Sequence, residues 1–170
     1  VNYKPDGTPA GEWQFSGTGY MLLVHEEAGI KLSTGRTVLD FDPAEGVFRT
    51  WSEMDEKAVI TSLAYYQGTV YAADAGSRII RCLDSGGRET GRIGASDPGK
   101  GIPGFVIPSP FFDVVMDDGL LWAANTGRRS LEQYTPKGEF LKSWGRSSFE
   151  LDGFCGCCNP AHFLLLPDKS

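Results

Sequence analysis

The sequence predicts an all-β protein, and three observations lead to this class. Glycine and proline are frequent, with 22 and 10 residues in a chain of 170. They bound short runs rich in β-branched and aromatic side chains, as expected of strands joined by tight turns. Almost no stretch carries helical periodicity over three turns. The third observation is an internal repeat whose turn residues fall at matching positions.

Size and charge limit the class of protein. A chain of 170 residues with 41% hydrophobic residues is long enough for one well-packed domain. Its formal net charge of −6 and its scattered basic residues argue against a nucleic-acid partner. No apolar run approaches the ~20 residues of a membrane span. We therefore expect one domain with no nucleic-acid partner and no membrane span.

The repeat is clearest in two segments that align without a gap at an offset of 51 residues. They begin at Gly68 and Gly119 and read GTVYAADAGSRIIRCLDSGGRETGRIG and GLLWAANTGRRSLEQYTPKGEFLKSWG. The first glycine of each predicts a turn. Asp74 and Asn125 are placed to bond the backbone of the following turn.

One hairpin of this unit recurs four times. An aromatic residue or Leu is followed ten residues later by Trp or Ile, and a Gly stands four or five residues after the first member. The intervening phrases KPDG, DPAEG, LDSGG and TPKG suit short strand connections. The four pairs are Tyr3/Trp13, Phe41/Trp51, Leu83/Ile93 and Tyr134/Trp144. Four-stranded units of about 40–50 residues are typical of β-propeller blades.

The repeat divides the chain into blades of four antiparallel strands. The C-terminal HFLLLPDKS aligns with FFDVVMDDG, the first strand and turn of the preceding unit. We expect a partial β-propeller domain, and open strand edges at both ends predict a longer polypeptide of about six blades or a ring completed by a second copy. The parts are 1–15 (second half of a blade), 16–58, 59–108 and 109–158 (blades), and 159–170 (first strand of the next blade).

The units resemble NHL repeats. The best match is DVVMDDGLLWAANTGRRSLEQYTPKGEFLKSWG, which follows the order apolar strand, turn, (Y/W)-(V/A)-A-(D/N), turn, Arg, then aromatic and x-P-x-G. The resemblance covers 59–170 well and the first 58 residues loosely, and Ile93, Ser85 and Arg128 depart from the pattern. The segment with GFCGCCNPAH also resembles bacterial exported NHL proteins. The resemblance implies a non-catalytic scaffold for a protein or small ligand, in the periplasm or outside the cell.

The phrase GFCGCCNPAH holds three of the four cysteines and one of the two histidines. Cys155, Cys157, Cys158 and His162 fit a disulfide clasp, a metal or iron–sulfur site, or free thiols. Structural zinc usually takes two separated pairs, and Asn159 breaks the C-x-x-C-H haem pattern. We expect a rigid loop on the axial rim of the propeller, closed by a disulfide of Cys155 or Cys158, since oxidised pairs fit an exported protein. No cofactor is predicted.

Three arginines, Arg36, Arg78 and Arg129, fall at matching blade positions. They could ring an anionic ligand or serve the hairpins structurally. No nucleophile motif and no phosphate-cradling loop is present in the sequence, so a binding scaffold is favoured over an enzyme. Two alternatives stay open: a lyase-like metal-dependent propeller enzyme, for which the chain offers His25 and His162, and an electron-transfer or metal-binding subunit that uses the Cys155–Cys158 loop.

Overall fold

The computed structural model describes residues 2–96, 99, 104–151, 153–156 and 159–166. Within these residues fourteen strands form three four-stranded antiparallel sheets and one two-stranded sheet. The prediction of all-β blades of four antiparallel strands is confirmed. No helix among the described residues has the length and hydropathy to cross a membrane.

Each sheet is a meander of consecutive strands. A hairpin of β1 (Asn2–Tyr3) and β2 (Pro9–Gly11) precedes the first sheet. The first sheet contains β3 (Met21–His25), β4 (Gly29–Ser33), β5 (Thr37–Asp42) and β6 (Val47–Glu53). The second contains β7 (Ile60–Tyr66), β8 (Thr69–Asp74), β9 (Ile79–Leu83) and β10 (Glu89–Ile93). The third contains β11 (Val114–Asp117), β12 (Leu120–Asn125), β13 (Ser130–Tyr134) and β14 (Phe140–Trp144), with a 3₁₀ helix at Thr126–Arg128.

The turn residues explain why the strands reverse where they do. Gly68 and Gly119, in the first hairpin turns of the second and third sheets, have φ of +83° and +73°, a region that side chains with a Cβ rarely adopt. In the β9–β10 turn the Asp84 carboxylate accepts hydrogen bonds from the backbone N–H groups of Gly86 and Arg88. These bonds depend only on residues within the turn and favour the hairpin register locally.

The sheets stack through their first strands, with β7 in contact with both β3 and β11. Side-chain hydroxyls join neighbouring sheets. Ser33 Oγ donates to the carbonyl oxygen of Ile60 at 3.0 Å, and Thr61 Oγ1 donates to that of Phe112 at 2.6 Å. Because these groups are buried, each bond satisfies a polar atom that would otherwise cost free energy. The first strands therefore form one continuous inner layer.

Two apolar clusters fill the spaces between sheets. Alanines on β8 and β12, Ala72 and Ala123, are fully buried and let the neighbouring sheets approach closely. Full burial of a side chain such as Phe112, which is 0% exposed, contributes roughly 1.5–3 kcal/mol. The cluster between the first and second sheets includes Val38, Met54, Ile60, Leu63, Val70 and Leu83. The cluster between the second and third includes Ile80, Ile93, Phe105, Phe112, Leu121 and Tyr134.

Candidate functional site

We call the end of the sheets that carries the β4–β5, β8–β9 and β12–β13 turns the loop face. The chain also enters the second and third sheets at this end, because Ala75 N–H bonds to the carbonyl of Val59 and Gly127 N–H to that of Val106. Each entering segment is thus tied to the middle turn of its own sheet.

Asp74 and Asn125 organise this face. Asp74 Oδ1 accepts from the backbone N–H groups of Ser77 in the next turn and of Val59, at 3.0 and 2.9 Å, so the prediction for Asp74 is confirmed. The prediction for Asn125 is wrong, because its Oδ1 accepts from Val106 N–H at 3.0 Å and the following 3₁₀ helix has no side-chain cap. There Asn125 bonds the entering segment instead of the next turn.

The three predicted arginines lie at the loop face but have different surroundings. Arg78 and Arg129 both adopt the left-handed conformation, with φ of +59° and +57°. Arg36, like them, directly precedes the third strand of its sheet, and it forms an ion pair of 3.0 Å with Glu53. Arg129 Nε donates to the carbonyl of Gly156 at 2.8 Å. Arg36 and Arg129 therefore each already bond to another residue of this chain, and the anionic ligand stays a prediction.

The cysteine-rich loop crosses the loop face from the outer strand to the inner strand of the third sheet. At its outer end, Phe154 packs edge-on against Trp144 with 5.4 Å between ring centroids. At its inner end, Asp113, directly before β11, accepts from the backbone N–H of Phe163 at 3.2 Å and lies 3.4 Å from His162 Nδ1. The hydrogen bond from Arg129 holds its middle, so three contacts position the loop.

The sulfur atoms are only partly described. Cys155 is exposed and is a free cysteine, while Cys157 and Cys158 lie outside the described residues. The predicted disulfide therefore stays a prediction. No trio of His, Cys, Asp or Glu side chains in the described ranges is placed to hold a metal ion. The fourth cysteine, Cys82, is half-buried against the apolar cluster of the second and third sheets, and burial raises the pKa of its thiol to about 11.

A buried ionic network lies between the first and second sheets. Arg81 on β9 is 3% exposed, and its guanidinium donates to Asp55, Asp74 and Glu89 at 2.6–2.8 Å. Burial alone would lower the pKa of Arg81, but the three carboxylates outweigh it and raise the pKa. The hydrogen bond from Arg81 in turn lowers the pKa of Asp55. Sequence reasoning missed this network, although an arginine within the apolar run IIRCL is a signal for it.

The corresponding position of the third sheet carries the opposite charge. Arg81 lies opposite Ala72 in the β8–β9 ladder, and Glu132 lies opposite Ala123 in the β12–β13 ladder. Glu132 is 5% exposed. Its oxygens accept from Asn125 Nδ2 at 2.8 Å and from the Tyr134 hydroxyl at 2.6 Å, and burial followed by this bond raises the pKa of Tyr134.

Glu132 lines a cleft between the second and third sheets. The cleft has a volume of about 1020 Å³, at the upper end of the range of small-molecule sites. Its described lining includes Arg92 and Ile93 of β10, Arg128, Glu132 and Tyr134 around β13, and Phe140 and Ser143 of β14. It therefore combines both signs of charge with apolar walls. Sequence reasoning did not identify it.

The comparisons with known proteins show the fold alone. No family model and no curated protein matches the chain. A structural genomics protein of unknown function from Bacteroides thetaiotaomicron matches with a TM-score of 0.53 and 14% identity, over 69% of this chain and 30% of its own. A chain of the mitotic checkpoint complex matches with a TM-score of 0.51 and 9% identity, over 82% and 46%. A streptogramin B lyase structure matches at 13% identity and a TM-score of 0.46, over 74% of this chain and 54% of its own. The matched parts thus span from under a third to about half of these proteins.

Proposed function

We propose that this chain is a non-catalytic binding module: a stack of NHL-type propeller blades, belonging to a longer exported bacterial protein of about six blades, that presents its loop face to a protein partner. The observation that carries the proposal is a set of exposed apolar side chains beside the points where the cysteine-rich loop is anchored, at Phe154, Gly156 and Phe163. Phe149 and Leu151 are fully exposed. Exposed large apolar groups grouped on one segment are typical of interaction surfaces.

The anchoring contacts support recognition without a large rearrangement. Arg129 and Asp113 belong to the rigid sheet framework and hold the loop through Gly156 and Phe163. Residues that the framework already holds in place lose less conformational entropy when a partner binds. A partner with a complementary apolar surface would therefore meet a preformed site.

The positions of the two histidines do not favour the lyase-like alternative. His25 packs against Tyr65 at the end of β7, with 4.4 Å between ring centroids. His162 lies beside Asp113, and the adjacent Phe112 receives the hydroxyl bond from Thr61 at the start of β7. The histidines thus lie at opposite ends of the inner layer, so this chain does not join them in one ligand set.

The test compares partner capture by three immobilised proteins: wild type, Phe149→Ser/Leu151→Ser, and the control Val47→Ser/Leu141→Ser. The control residues are also exposed, at 38% and 46%, but lie on outer strands. We expect a protein from the source organism to be retained by wild type and control and lost by the loop variant, with equal thermal unfolding midpoints for all three. Retention of the same proteins by all three, or by none, would contradict the proposal, as would turnover of a small substrate by the purified protein.

A further inference from the structure

The cleft between the second and third sheets opens beside the loop face, but its lining does not include Phe149 or Leu151. The charged residues that line it differ from those that line the corresponding space between the first and second sheets. There, Arg81 is compensated by three carboxylates in direct contact, at 2.6–2.8 Å. Glu132 occupies the equivalent position in the cleft, and among the described residues it has no cation in direct contact.

The charge of Glu132 is compensated from a distance. Its two hydrogen-bond donors, Asn125 and Tyr134, are neutral. The Arg128 guanidinium is 3.9 Å from Glu132 Oε1, too far for a hydrogen bond. A carboxylate that is nine-tenths buried normally has a directly bonded cation. Glu132 can therefore accept a further charged donor from the cleft.

Arg128, whose charge is opposite to that of Glu132, lacks a hydrogen-bond partner for its charged group among the described residues. Its side chain is 35% exposed, and its guanidinium forms no hydrogen bond with the part of the chain that the structure describes. A guanidinium has five N–H donors and binds carboxylates bidentately. Arg128 and Glu132 thus present an unsaturated donor and an unsaturated acceptor side by side in one cleft.

The surrounding charges exclude simpler ligands. Arg92 also lines the cleft but is paired with Glu89, so a ligand that carries only positive charge would be repelled mainly by the Arg128 guanidinium. A ligand that carries only negative charge would be repelled by Glu132 and Glu139, which also lines the cleft. A ligand with both charges close together meets neither penalty.

We propose that this cleft binds a free α-amino acid, with its ammonium group on Glu132 and its carboxylate on Arg128. Backbone bond lengths and angles place the amino nitrogen of an α-amino acid about 2.5 Å from its carboxyl carbon. Arg128 Nη1 and Glu132 Oε1 lie 3.9 Å apart. Because the two ligand charges are similarly close together, each can face the protein charge of opposite sign. The ligand dipole lies antiparallel to the Arg128–Glu132 pair.

The walls of the cleft favour an apolar or aromatic side chain. Ile93, Tyr134 and Phe140 contribute apolar surface, and the exposed Phe140 ring packs edge-on against Tyr134 with 5.7 Å between ring centroids. Aromatic rings pack favourably against each other in edge-on or offset arrangements. L-Phenylalanine is therefore the first probe.

The test measures binding by isothermal titration calorimetry after a thermal-shift screen of the twenty free L-amino acids. We expect at least one apolar amino acid, L-phenylalanine first, to bind. Phenethylamine lacks the carboxylate and 3-phenylpropanoate lacks the ammonium group, and each should bind wild type at least ~30-fold more weakly. Arg128→Gln and Glu132→Gln should lose affinity to a similar extent, and the control Arg49→Gln on the first sheet should bind as wild type.

The comparison of the three probes on wild type does not depend on any variant folding. No binding by any of the twenty amino acids would overturn the proposal. Equal binding of L-phenylalanine, phenethylamine and 3-phenylpropanoate would also overturn it, because it would show apolar contact alone. Undiminished binding by folded Arg128→Gln would do the same. Loss of partner capture by Phe149→Ser/Leu151→Ser would leave this proposal untouched, since neither residue lines the cleft.

Discussion

Replacing Arg81 with Met should destabilise the protein because it leaves a buried carboxylate without its cation. Asp74 is 0% exposed, and Arg81 is bonded to it at 2.8 Å. Breaking a buried ion pair by removing one partner typically costs about 3–5 kcal/mol. Asp74 keeps two backbone N–H donors, so we place the cost near ~3 kcal/mol. Asp55 and Glu89 are more exposed, at 53% and 29%, and should add little.

In a protein of this size that cost corresponds to a fall in the unfolding midpoint of about 6–12 °C. Thermal unfolding followed by circular dichroism measures it. The matched control is Arg88→Met, because Arg88 is 85% exposed and pairs with a surface carboxylate. Adding Asp74→Asn to Arg81→Met should recover most of the loss, since the third sheet already uses Asn125 at this position. A fall no larger than that of the control would refute the reasoning.

Three further predictions concern the carboxylates around Arg81, the buried thiol of Cys82 and the turn at Gly76. The pKa values of Asp55 and Glu89 are lowered in the folded protein, so their contribution to the free energy of unfolding is full above the ordinary carboxyl pKa and is lost as the pH falls through the lowered pKa values. Urea unfolding from pH 7 to pH 3 measures this loss, and a free energy of unfolding that does not change with pH would contradict it. The pKa of Cys82 is raised to about 11, so iodoacetamide at pH 8 should modify Cys155 first and Cys82 only after unfolding, and early labelling of Cys82 would contradict its burial. Gly76→Ala would place a Cβ 1.8 Å from a backbone carbonyl oxygen and should cost about 1–3 kcal/mol or more in urea unfolding, so wild-type stability would show that the turn packs differently.

The sequence was sufficient for the blade class because the signal is local and repeated. The turn at Gly68 and the matching turn at Gly119 need positive φ, and the side chain of Asp74 bonds the adjacent turn. Each of these features depends on residues within a few positions of each other. Turn residues and local hydrogen bonds that recur at a fixed offset can be predicted from the sequence without knowing how the sheets pack.

The charged positions between sheets were not predicted because they depend on long-range packing. Arg81 and Glu132 align at the offset of 51 residues, but the sequence does not show that both are buried or that Asp55 reaches Arg81 from the preceding sheet. Asn125 was assigned to the next turn by analogy with Asp74, yet it bonds the segment that enters its sheet. The cleft arises only when two complete sheets face each other.

The central claim is that three four-stranded sheets stack through one inner layer, with the second sheet enclosed on both sides. Amide hydrogen exchange followed by mass spectrometry tests this claim most directly. Strands β7 and β8 each carry five buried residues, whereas all five residues of β14 are exposed. We predict the slowest exchange in peptides from β7 and β8 and the fastest strand exchange in β14. Exchange in β7 and β8 as fast as in β14 would contradict the stacked arrangement.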